Sequence, residues 1–295
     1  MLKRFGFSFL LLLAISYSIF SQSIDGFNYS INDEGTITIT GYIGNDANIV
    51  IPARINNIQV TAIGRNAFRG NKNITSVIIP DGIKTIDYGA FSGCENIYSL
   101  VLPVSLREIG LFAFQDCSSL IHLTLPEGLT SIKQGVFDDC TSLETVYIPA
   151  SMNNIHTIFH VEAFHGCKKL TQINVNENNQ KYSSVNGILY NKNKTELLLC
   201  PKGLGGIITI PIGVQSIHAG AFRDCVNITE IILPESIESI GSWAFGVCER
   251  LKKINIHQKI NSIGYSAFNE CNSLDTPIKE ELTRRFGDVF TADGL

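Results

Sequence analysis

Cysteine is the residue type whose placement most invites a chemical reading. Seven of the eight cysteines stand three residues after a phenylalanine: Cys94, Cys117, Cys140, Cys167, Cys225, Cys248 and Cys271. A thiol in such a setting could be a nucleophile, a metal ligand or half of a disulfide. No Cys-x-x-Cys occurs, so zinc-ribbon spacing is absent. The shared register argues for a blander role. Equivalent positions of a repeat point the same way, so neighbouring thiols lie side by side rather than face to face. A Cα separation of ~4.8 Å, one strand spacing, would by itself allow a bridge, but parallel side-chain vectors disfavour it. The register therefore favours a small buried apolar residue at a tight turn, with vicinal disulfides and metal or thiol chemistry as the alternatives. Cys200 stands out of register and is expected to be the most accessible thiol.

The other chemical candidates are sparse. His156, His160, Glu162 and His165 form one cluster, HTIFHVEAFH, which is not an HExxH motif and reads as a solvated loop, with metal binding as the alternative. Asp116, Asp138, Asp139 and Asp224 fall at turn positions, where carboxylates are expected to bond backbone N–H groups. Walker, nucleophile-elbow and dinucleotide-binding motifs are absent. The residues thus point to no catalytic role, no cofactor and no metal. A formal net charge of −4 gives no basic field for nucleic acid.

The elements that place these residues are a repeat. Phe68, Phe91, Phe114 and Phe137 recur every 23 residues, as do Phe222, Phe245 and Phe268. Phe164 lies 27 residues after Phe137, so its unit carries a four-residue insertion. Each unit holds a short alternating strand ended by Pro, as in ITSVIIP (74–80), IYSLVLP (97–103), LETVYIP (143–149) and ITEIILP (228–234), with a fainter copy ANIVIP (47–52). Alternation marks a strand with one buried face, and Pro stops it because it has no ladder donor. An Ile-x-x-Ile-Gly turn and the Ala-Phe segment complete the unit. A 23-residue unit cannot bury its own apolar face, but stacked units cover one another. The fold class is a mainly β repeat solenoid of about nine stacked 23-residue turns.

The pattern Ile-x-x-Ile-Gly-x-x-Ala-Phe-x-x-Cys-x-x-Leu-x-x-Ile-x-Ile-Pro resembles the leucine-rich repeat of BspA-like bacterial and protist surface proteins, over about residues 45 to 278. The resemblance implies a curved or flattened leucine-rich solenoid that is secreted or at the cell surface. It also implies adhesion to host matrix proteins or to other cells.

The ends read differently. Lys3 and Arg4 followed by the apolar run Phe5 to Phe20 read as a secretory signal peptide over residues 1–21, cleaved after Ser21, and no other run is long enough to span a membrane. Residues 22–45 carry the turn NDEG between two alternating runs and are expected to form a β-hairpin cap. The solenoid is expected over 46–278. Within it, 176–213 forms a variant repeat with a hairpin insert: GILY and TELLLC as strands, NKNK as the tip. It is expected to project from one edge. Residues 279–295 place Leu282, Phe286 and Phe290 at spacings of four, reading as a short amphipathic helical cap.

The informative surface is the outward strand face. Its second outward row runs Ile78, Val101, Thr124, Tyr147, Asn174, and its first row includes His122, Thr145 and Gln172. An exposed apolar stripe marks a contact site, although strand propensity alone also favours Val, Ile, Thr and Tyr. The expected partner is a protein, such as a host matrix or cell-surface protein. A glycan stacking on Tyr147 beside Gln172 and Asn174 is the alternative.

Overall fold

The computed structural model describes residues 22–155 and 163–291. It is a mainly β solenoid of about 10 turns, here called rungs, one more than the repeat count suggests. Residues 1–21, expected to be a signal peptide, and His156, His160 and Glu162 lie outside the described residues.

A regular rung contributes to three columns. The strand column consists of parallel strands in three sheets. The first holds Asn48–Val50, Ser76–Ile78 and Ser99–Val101; the second His122–Thr124, Thr145–Ile148 and Gln172–Val175; the third Gly205–Thr209, Asn227–Ile232 and Lys253–Ile254. Inward residues such as Val77, Leu123, Val146 and Ile231 are buried. The proline that ends the strand also begins a turn: its carbonyl accepts from the residue three on, as in Leu106 N–H to Pro103 O at 3.1 Å.

The second column is built from the Ile-Gly segments. Two-residue strands such as Thr85–Ile86 and Glu108–Ile109 pair in register from rung to rung. Where a glycine follows, as after Ile109, Ile240 and Ile263, it is set by close approach. A Cβ on Gly110 would stand 2.5 Å from the Tyr88 nitrogen, and one on Gly264 would stand 2.3 Å from the Ser242 nitrogen. Any side chain there would force two rungs apart.

The third column carries the phenylalanines. Phe68, Phe91, Phe114, Phe137 and Phe164 stack with centroids 4.7, 5.3, 5.5 and 5.8 Å apart. Phe222, Phe245 and Phe268 stack again at 5.2 and 5.1 Å. Each buried ring contributes about 2–3 kcal/mol by removal from water, plus ~1 kcal/mol for the offset stack. Around the rings whose flanks are described, left-handed residues sit two before and two after the phenylalanine. Around Phe91 these are Gly89 and Gly93; around Phe114, Phe112 and Asp116; around Phe245, Trp243 and Val247, at φ 57° and 60°.

The ends are closed by different devices. Phe27–Ile31 and Ile37–Tyr42 form the antiparallel hairpin cap, and Ile37–Tyr42 then pairs in parallel with Ile58–Ile63 to start the second column. The C-terminal helix runs Thr276–Phe286, three residues earlier than the sequence pattern suggests, and ends at Gly287 with φ 77°. Phe290 is therefore not on the helix. It packs on Phe268 at 6.1 Å, and Val289 O accepts from Phe268 N–H at 2.9 Å, so the tail closes the phenylalanine column instead. Arg285 donates to the carbonyls of Ile256, His257 and Ile260, tying the helix to the last rung.

The variant repeat does not project as a free hairpin. Tyr182–Val185, Ile188–Asn191 and Glu196–Leu199 form an antiparallel meander whose last strand pairs in parallel with Ser216–Ile217. Its central strand is buried on both faces. Leu189 packs into the N-terminal core, and Ile188 and Tyr190 into the C-terminal core. Buried Asn179 fastens it: Nδ2 donates to Pro149 O and Met152 O, each at 2.8 Å, while Oδ1 accepts from Lys181 and Tyr182 N–H.

Candidate partner-binding face

The alternation that buries Val77, Val146 and Ile173 turns the intervening residues outward. Ile78 pairs with Val101, and Val50 with Ile78, so three apolar side chains stand side by side on adjoining strands. They are 61, 45 and 52 % exposed for Val50, Ile78 and Val101. Val50 was not among the residues expected there. Its strand, in the faint copy ANIVIP, has the same alternation, and that was the available signal.

The expected stripe is not one ladder. Val101 and Thr124 belong to different sheets, so the row breaks between them. Beyond the break, Thr124 pairs with Tyr147 and Tyr147 with Asn174, while His122, Thr145 and Gln172 form the parallel first row. Thr124, Gln172 and Asn174 are exposed, and Tyr147 is 39 % exposed. His122 Nδ1 and Thr145 Oγ1 are hydrogen-bonded at 2.8 Å, and Asn176 Nδ2 donates to the Tyr147 hydroxyl at 3.0 Å. The face thus has an apolar patch on its first sheet and a polar patch holding one oriented tyrosine on its second. Among the described residues a cleft of about 470 Å³ lies on the third sheet, lined by Glu230, Ile232, Lys253 and Asn255 and walled by Asp275 and Ile278 of the helix start.

All eight cysteines are buried and none is in a disulfide. In six of the seven register positions the Sγ–H donates to the carbonyl of the preceding rung's phenylalanine, as in Cys94 to Phe68 at 3.0 Å, Cys117 to Phe91 at 3.4 Å and Cys271 to Phe245 at 3.1 Å; Cys225 instead donates to Cys200 O at 3.8 Å. Burial pushes the Cys94 thiol up to about 12 and Cys117 and Cys140 well above the ordinary thiol range. Such thiols carry little thiolate at neutral pH and do no nucleophilic chemistry there. Cys200, expected to be accessible, is only 1 % exposed. Its N–H donates to Ala221 O at 2.7 Å, as Phe91 N–H does to Ala113 O, so Cys200 occupies the phenylalanine position of the variant rung.

The carboxylates also differ from expectation. Asp138 bonds the His165 ring at 2.8 Å and Asp224 pairs with the Lys202 ammonium at 3.3 Å, rather than with backbone N–H groups. Asp116, Asp139 and Asp224 are where they are because the backbone is left-handed there. Among the described residues, no group of three or more His, Cys, Asp or Glu could hold a metal ion.

The BspA type leucine rich repeat region matches this chain in six copies, over residues 61–193 and 206–291. The chain belongs to the BspA-type leucine-rich repeat family. Solved structures are similar along its length. A leucine rich cell surface protein from Faecalibacterium prausnitzii is 28% identical, over 87% of this chain and 82% of that one, with a TM-score of 0.54. A leucine-rich repeat protein from Eubacterium ventriosum is 24% identical over 85% and 69%, with a TM-score of 0.64. The pneumococcal vaccine antigen PcpA is 19% identical over 87% and 80%, also with a TM-score of 0.64. The last two likenesses concern the fold alone. No curated protein is similar in sequence. In this BspA-type chain no described helix is long and apolar enough to cross a membrane.

Proposed function

We propose that this BspA-type repeat protein is exported, displayed at the cell surface, and binds a protein partner through its strand face without catalysing a reaction. Adhesion to host or neighbouring-cell proteins is the role this reading assigns. The observation that carries it is the in-register patch Val50, Ile78 and Val101, three large apolar side chains left in water on a rigid parallel sheet. Contiguous apolar surface on a scaffold of this kind marks a contact site. The repeat also argues against catalysis, because it sets like side chains at equivalent points and brings few unlike groups together. Lys3, Arg4 and the apolar run after them support export.

A second reading, glycan binding, rests on Tyr147, whose hydroxyl is held by Asn176 and whose neighbour in register is Asn174. Ring stacking flanked by amides suits a sugar face. The mature protein, applied to immobilised matrix proteins and to a glycan array, separates the two. Binding to a protein that is lost in Val101→Glu supports the first, and binding to sugars lost only in Tyr147→Ala supports the second. Retention of all binding in both variants contradicts both.

A further inference from the structure

The strand column has a missing rung. In the regular repeat, a strand 23 residues before Ile207 would lie at residue 184. Residues 182–185 instead pair antiparallel with Ile188–Asn191, as part of the variant meander. Among the described residues, the strand Gly205–Thr209 consequently has a parallel partner, Asn227–Ile232, on one side only. The column forks here. Gly203 N–H still donates to Leu170 O at 2.7 Å, but further along Ile173 N–H donates to Gly187 O of the insert.

Parallel pairing determines which groups are left over. Residues of one parity send both N–H and C=O to one neighbour, and residues of the other parity to the opposite neighbour. Ile210 N–H donates to Ile232 O at 3.0 Å, so Ile208 and Ile210 face the existing partner. The backbone groups of Ile207 and Thr209 therefore point to the vacant side. Three further features mark that side as open. Ile207 is 61 % exposed. Ile208, whose inward equivalents Val77, Val146 and Ile231 are buried, is only half-buried. The segment Gly-Gly-Ile-Ile-Thr carries none of the charges or prolines that blunt natural sheet edges.

We propose that this edge is a strand-addition site that takes an extended segment of a partner protein as the absent rung. The occupant's chemistry follows from what is missing. Its backbone must pair with Ile207 and Thr209, and an alternating apolar side chain must cover Ile208. A second copy of the whole solenoid is a poorer occupant, because the edge lies within the solenoid and its start is tied to the preceding rung at Leu170. A lone strand can enter beside it. The inference goes beyond the apolar-patch reading and does not need it.

The chain's own repeat supplies a probe of the right pattern, the synthetic peptide LETVYIP (residues 143–149). Hydrogen exchange of the full mature protein is measured with and without it. In the free protein, Ile207 and Thr209 amides are expected to exchange fast while Ile208 and Ile210 are protected. Saturating peptide is expected to slow Ile207 and Thr209 at least about tenfold. N-methylation of the peptide at the position of Val146, whose N–H faces the next rung, abolishes the effect. N-methylation at the position of Tyr147, which faces away, leaves it. Ile207→Pro removes a donor only from the vacant side, so it keeps the fold and loses the peptide. Should that variant unfold, the two methylated peptides decide alone. Protection of Ile207 and Thr209 in the free protein, no binding at millimolar peptide, or indifference to which position is methylated each overturns the proposal. Peptide protection confined to Ile78 and Val101 also overturns it, and favours the apolar patch instead.

Discussion

The Cys94 sulfur lies 3.0 Å from the carbonyl oxygen of Phe68, one rung earlier, and its thiol donates to that oxygen. Phe68 O also accepts from Asn71 N–H at 3.0 Å, so the thiol supplies a second donor to a buried carbonyl. Cys140, Cys167 and Cys248 repeat the contact with Phe114, Phe137 and Phe222 at 3.3, 3.2 and 3.1 Å. The cysteine register is thus a column of inter-rung bonds, laid beside the stacked rings. Cys117→Ala removes one such bond and leaves a small void, and is expected to lower stability by about 1–2 kcal/mol in urea unfolding.

The same burial sets a pH dependence. Cys94 is raised to about 12 in the folded protein, above an ordinary thiol near 9.0. Its contribution is fully present below the unfolded value and is lost as pH rises from there through about 12, because the unfolded chain ionises first. Stability is expected to fall steeply above pH ~9, by up to about 1.4 kcal/mol per pH unit for each shielded thiol. Urea midpoints measured from pH 7 to 11 test this, and replacing several register cysteines by Ala should flatten the fall.

Gly110→Ala is expected to destabilise strongly, by about 3 kcal/mol or more, since the added carbon would overlap the Tyr88 backbone and the rungs cannot separate without losing the Gly110 N–H to Ile86 O bond at 2.7 Å. Thermal unfolding compared with Gly70→Ala separates crowding from backbone strain, because Gly70 is left-handed at φ 71° with open space around it, whereas Gly110 is crowded without a left-handed backbone.

Val247 is β-branched and left-handed, at φ 60°, where Gly70, Gly93 and Gly166 stand in other rungs. Val247→Gly is expected to stabilise by ~1 kcal/mol through relief of that strain. An unchanged or lower melting temperature would mean that the half-buried valine side chain outweighs it.

Asn179→Leu should cost about 2–4 kcal/mol, because four backbone groups around the variant meander lose their partner in a site closed to water. Hydrogen exchange should register the loss first at Tyr182–Val185, the strand that Asn179 fastens.

Much of this was legible in the chain, because a repeat writes the same physics many times over. The spacing of Phe91, Phe114 and Phe137 gave the rung, and the alternation around Leu123 and Val146 gave its inward face. What stayed hidden was whatever occurs once. Tyr182–Val185 is half-exposed along its length and carries two serines, so it shows no alternation. Without alternation in that strand, the insert reads as a projecting hairpin and Cys200 as accessible. The spacing of Leu282, Phe286 and Phe290 does not mark the helix start, which lies at Thr276 with Pro277 in the first turn, and the last of those residues belongs to the tail. Nor could the break between Val101 and Thr124 be read, since both rungs keep the pattern and the sheet divides only in three dimensions.

The most direct measurement compares the mature protein with Ile78→Glu/Val101→Glu for binding to a panel of immobilised matrix and cell-surface proteins. Both side chains point to solvent, so circular dichroism and melting temperature should be unchanged. The account predicts that affinity for the bound protein falls at least about a hundredfold, as expected when charge is placed in an apolar contact. Full binding by the double variant, with its fold intact, would contradict it.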